Sequence, residues 1–147
     1  MTLYMETTKI DPSKTVAEIQ AVLGRYGASS ILTEYKNSEI EALSFCVTVN
    51  GQPVPFRLPC RHEAVYKTMI GRMSKLRESR IDDYKLQAKR VAWRQVLRWI
   101  QAQMAMVETS MVSVEEVFLP YMQHRSGKTL FELIKQNNFK MLEGPKP

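Results

Sequence analysis

The chain has 147 residues, a net charge of +6 and a pI near 9.4, with 44% apolar and 24% charged residues. That is the size of one domain with enough apolar content to bury a core unaided, and its charge bears on association and solubility rather than fold. No apolar run approaches the roughly 20 residues that a spanning helix needs, which excludes an integral membrane protein.

The start, MTLYMETTKIDPSK, lacks the basic and apolar regions of a secretory signal. Cys46 and Cys60 are too few for a disulfide framework and too far apart for a CxxC pair. A reduced, cytoplasmic setting follows as the expectation.

Residues 1–12 read as a flexible lead-in ending at Pro12. Ser13 or Thr15 can cap a helix, Thr15 having capping-box spacing to Glu18, and Val16, Ile19, Val22 and Leu23 fall on one helical face. The pattern predicts a first helix over about 14–26, ended by Gly24 and Gly27.

The period then changes from helical to alternating. Ile31 to Tyr35 reads as a strand, followed by a turn at Lys36-Asn37-Ser38. From Ile40 to Val49 every second residue is large and apolar: Leu43, Phe45, Val47, Val49. Asn50-Gly51 is a strong hairpin signal, because both central residues of a type I′ turn need positive φ. Val54, Phe56 and Leu58 continue the alternation, while Pro53, Pro55 and Pro59 remove ladder donors and predict an edge strand.

Helical spacing returns with Ala64, Val65, Thr68 and Met69, predicting a helix over about 61–73. A polar link, Ser74 to Arg80, precedes a long helix starting at Asp82 or Asp83 and running to about 107. Leu86, Trp93, Leu97, Ile100, Met104 and Val107 form its apolar stripe, with coiled-coil-like gaps. A helix of that length spans about 39 Å, long for a small domain, so its seam has two possible covers, this chain's own core or another chain. Ser113 with Glu116 predicts a short helix through Met122, and Thr129 to Gln136 a last one. The fold class is α+β: a helix, a three-stranded antiparallel meander, then a helical C-terminal half with one long helix. Residues 13–140 form the single domain, and 141–147 read as a disordered tail.

Charge is distributed unevenly over these elements. Residues 61–98 carry eleven Lys/Arg against four acids, a balance of +7, while residues 1–60 carry five bases and six acids. On the long helix Arg90, Arg94 and Arg98 recur every four residues, about 40° apart, with Lys85 and Lys89 on the other flank of the stripe. Such a row can follow a phosphate backbone and release counterions. The bland alternative is a solvated flank, or arginine stems covering the edge of a core. Trp99 lies off the stripe, either to stack on an unpaired base or to pack under the 112–122 helix.

The expected interface is therefore Arg72, Lys75, Arg77, Arg80, Lys85, Lys89, Arg90, Arg94, Arg98 and Trp99, and the expected partner is nucleic acid. The alternative is a protein-interaction module, a host-factor inhibitor or homo-oligomeric part, docking through the apolar seam.

The remaining chemistry is sparse. His62 and His124 have no ligand cluster at sequence spacing, so no metal is expected. Ser126-Gly127-Lys128-Thr129 lacks the earlier glycine and the strand of a phosphate loop, and reads as a helix N-cap. Glu34-Tyr35-Lys36 resembles the E-x-K of restriction-endonuclease-like nucleases, but the Asp of the preceding strand is missing, so Glu34 reads as an exposed strand residue. No nucleophile–base pair is legible, and the expectation is a non-enzymatic protein without cofactor.

The helix–sheet–helix order is similar to double-stranded RNA-binding domains, whose basic KKxAK is replaced here by Arg61-His62-Glu63-Ala64. The meander with its following helix is similar to phage single-strand annealing proteins in topology and charge alone. Three segments, Pro55 to Pro59, Ala88 to Arg94 and Glu116 to Met122, resemble small uncharacterised phage- and prophage-encoded proteins. That resemblance implies a phage or mobile-element origin and brings no established activity or site residues; together with the basic face it gives the expectation of a non-enzymatic accessory protein, for example in DNA replication or recombination.

Overall fold

The computed structural model describes residues 2–140. Helix α1 (Pro12–Arg25) leads into strands β1 (Ala28–Lys36), β2 (Glu39–Val49) and β3 (Gln52–Arg57). Helices α2 (His62–Gly71), α3 (Ile81–Glu108), α4 (Val114–Phe118) and α5 (Leu130–Gln136) follow, with single 3-10 turns at Glu78–Arg80 and Leu119–Tyr121. The α+β order read from the sequence is the observed one. The expected tail, 141–147, lies outside the described residues.

Helix α1 begins two residues before the expected 14. Pro12 takes the first helical position, where its missing N–H costs nothing, and Thr15 lies inside the helix, fully buried, instead of capping it. Ser113 does form the full capping box with Glu116, and Thr129 caps α5 by accepting from the Glu132 N–H.

The three strands pair antiparallel in the order β1-β2-β3. At the β2–β3 turn Asn50 and Gly51 both adopt positive φ, 51° and 79°, as the type I′ turn demands. The expected β3 edge is there, but it is partly covered: Met122 bridges Phe56 and the Gln123 N–H donates to the Pro55 carbonyl at 2.9 Å.

Val16, Ile19 and Leu23 of α1, Leu43 and Phe45 of β2, Phe56 of β3, and Trp93, Leu97, Ile100 and Met104 of α3 form one buried cluster. Phe118 closes it, 5.3 Å from the Phe45 ring in an edge-on contact. The seam of α3 is thus covered within this chain, with Leu86 alone of its stripe exposed, at 37%. Of the two possible covers for these seam residues, the structure has the internal one. Burying a large apolar side chain stabilises by about 1.5–3 kcal/mol, so the helix's own sheet and α1 supply the reason for its stripe.

The segment before α1 is bonded to α3 at Tyr4, Glu6 and Thr8. The Gln87 side-chain amide donates to the carbonyls of Glu6 and Thr8 at 2.9 and 2.8 Å, and that of Gln95 donates to the Tyr4 carbonyl at 2.8 Å.

Candidate functional site

The cations of residues 61–98 fall into two groups according to what α3 packs against. Its middle, around Arg94, faces α1. Its start, Ile81 to Lys85, follows the link from α2, and α2 packs back along it as the other arm of a hairpin.

In the middle group Arg94 is interior, with a side chain 6% exposed. Its Nη1 donates to Glu18 Oε2 at 2.8 Å and to Thr15 Oγ1 at 3.5 Å. Arg90 is half-buried and donates to Gln87 Oε1 at 3.2 Å. Both Nε atoms are buried without a hydrogen-bond partner among the described residues. Lys89 pairs with Glu39 on β2. The expected row of three open arginines is therefore not formed: Arg98 alone is exposed, donating to Gln101 Oε1 at 2.9 Å.

The physical reason is positional. A four-residue repeat drifts by 40° per step, so a row beside the apolar stripe turns toward whatever flanks the core. Here that flank is α1, which brings Glu18 to Arg94.

Trp99 packs edge-on against Phe118 and Tyr121, with centroids 5.4 and 5.5 Å away, and is half-buried under the 113–122 segment. Of its two expected roles, this is the packing one.

The other group is open. Arg72, at the C-cap of α2, and Lys75, Arg77 and Arg80 in the link are all exposed, and so is Lys67 one turn back on α2. Arg80 faces Asp83 at 3.5 Å with both side chains more than half exposed. Lys75, Arg77 and Lys67 have no ion pair or side-chain hydrogen bond among the described residues. Lys85 sits with its Nζ 5.9 Å from the Tyr66 ring centroid, a weak cation–π contact on the surface. Glu78 is the one acid between Arg72 and Arg80.

Glu34 is bound on the sheet face, where its carboxylate accepts from Arg57 Nη1 at 2.7 Å. The opposite end of α2 holds a cluster that sequence spacing concealed. His62 Nε2 lies 3.2 Å from Glu41 Oε2 and 3.4 Å from Glu63 Oε1. Glu41 comes from β2, twenty-one residues away in sequence. It reaches His62 because the chain leaving β3 stays bonded to β2, through the Leu58 N–H and the Leu43 carbonyl at 3.0 Å. The His62-Glu63 pair was the only local signal. Cys60 stands beside the cluster: burial pushes its thiol pKa up, and the charges of Glu63 and Glu41 push it the same way.

No helix among the described residues is long and apolar enough to cross a membrane. No family model matches the chain, and neither a curated protein nor a solved structure matches it.

Proposed function

We propose that the protein is a nucleic-acid-binding accessory factor whose phosphate contacts lie on the tip of the α2–α3 hairpin rather than along α3. The observation that carries this reading is the exposed set Lys67, Arg72, Lys75, Arg77 and Arg80, crowded into fourteen residues with Glu78 as the only acid among them. Lys67, Lys75 and Arg77, whose side chains have no partner among the described residues, retain the water and counterions that a phosphate backbone displaces, whereas Arg94 and Lys89 already spend their charge on Glu18 and Glu39.

The tip offers no aromatic platform: Trp99 is packed away, and Tyr66 lies under Lys85. Backbone contact without base reading follows, so sequence preference is expected to be weak. A phage or mobile-element setting belongs to the same proposal and rests on sequence resemblance. The competing reading, docking through the α3 seam, has less support, because Trp93, Leu97, Ile100 and Met104 lie in the core.

Fluorescence anisotropy with single- and double-stranded oligonucleotides at low salt tests the proposal. Binding that weakens steeply with added salt, on either strand form, supports it. No binding to any oligonucleotide at low salt overturns it.

A further inference from the structure

We infer that Glu41, His62 and Glu63 form a binding site for a divalent metal ion of the zinc type, with an imidazole nitrogen and two carboxylates as ligands. The first argument is valence. An imidazole Nε2 carries at most one hydrogen, yet it faces two carboxylate oxygens at 3.2 and 3.4 Å. One hydrogen cannot satisfy both, and the three donor atoms all lie within 4.8 Å of one another. A divalent cation in the place of that hydrogen binds all three.

The second argument is size. Ligands at 2.0–2.1 Å from a tetrahedral ion stand about 3.3–3.4 Å apart. The two measured N···O separations match that edge before any movement. Imidazole with carboxylate favours zinc over the oxygen-only ions magnesium and calcium.

Access to the cluster fits as well. A cleft of about 260 Å³ whose lining includes Glu41, His62, Glu63, Tyr66, Lys85 and Lys89 gives solvent a route to all three ligands. Glu63 is 64% exposed, which leaves one side of the ion open to water. Three protein ligands and an open fourth position is the arrangement in which zinc holds a water.

The test is calorimetric titration of the full chain with zinc chloride, repeated on Glu63→Gln, His62→Gln and Cys60→Ser. The wild type is expected to bind one zinc per chain, Glu63→Gln to lose at least about tenfold in affinity, and His62→Gln to lose saturable binding. Cys60→Ser is expected to bind as the wild type does. Glu63 is exposed, so its variant keeps the fold, and an unchanged far-UV spectrum verifies this. Absence of saturable binding in the wild type overturns the inference. So does wild-type affinity in both Glu63→Gln and His62→Gln, or binding abolished by Cys60→Ser but kept in Glu63→Gln.

Discussion

The middle of α3 and the tip of the α2–α3 hairpin are both rich in arginine, yet they use it in opposite ways. Around Arg94 the guanidinium is drawn into the structure, tied to Glu18 and Thr15 on α1 while its stem covers the edge of the core. At the tip, Lys75 and Arg77 reach into water with nothing opposite them among the described residues. The difference is not in residue type. It is set by whether a neighbouring element supplies an acid within reach: α1 supplies Glu18 to Arg94, and no described residue pairs with Lys75 or Arg77. A basic run in a sequence is therefore a poor guide to a basic surface until its neighbours are known.

The contrast predicts opposite outcomes for the same substitution. Arg94→Ala leaves Glu18 without its partner and empties a buried space, and is expected to cost about 2–4 kcal/mol in urea denaturation. The figure lies below that of a fully buried pair because Glu18 is 39% exposed. A loss under about 0.5 kcal/mol would put Arg94 in the same class as the tip residues and dissolve the contrast.

Trp99→Ala is expected to cost about 1–3 kcal/mol, since it removes the edge-on contacts with Phe118 and Tyr121. Oligonucleotide affinity should stay within twofold of wild type. A tenfold loss of affinity would restore Trp99 as a base-stacking group.

The other end of α2 gives a pH-dependent contrast. The Cys60 thiol is raised above its ordinary value of 9.0, first by burial and then by Glu63 and Glu41. The folded state holds the proton longer than the unfolded one, so this contribution is fully present below about pH 9 and is lost as pH rises above it. Stability of the wild type should therefore fall more steeply above pH 9 than that of Cys60→Ser. Identical alkaline profiles would contradict the burial of the thiol. The smallest effect belongs to the tip: Lys75→Gln with Arg77→Gln should move stability by no more than about 0.5 kcal/mol, because neither side chain packs or pairs.

Much of this architecture was legible in the sequence. The alternation from Ile40 to Val49 gave β2, Asn50-Gly51 gave its turn, and Ser113 with Glu116 gave the start of α4, because each rests on local geometry. The stripe of α3 was equally legible, but not its partner, since periodicity marks a face for burial without naming what covers it. Thr15 misled for a related reason: Pro12 is the stronger start signal, and the threonine hydroxyl turned inward to meet Arg94. The fate of Arg94 and Lys89 depended on Glu18 and Glu39, residues brought in by tertiary packing. The Glu41–His62–Glu63 cluster was hidden in the same way, one ligand lying a strand away.

In the proposed interface the tip, and not the arginine row, supplies the phosphate contacts. The most direct measurement is the salt dependence of oligonucleotide binding by anisotropy, comparing wild type with Lys67→Gln/Lys75→Gln/Arg77→Gln and with Arg98→Gln. Each phosphate contact removed lowers the slope of log K against log salt by about 0.9 on duplex or about 0.7 on single strands. The triple tip variant is expected to lose about two such steps while keeping wild-type stability, and Arg98→Gln to lose fewer than one. An unchanged slope in the tip variant would contradict the account.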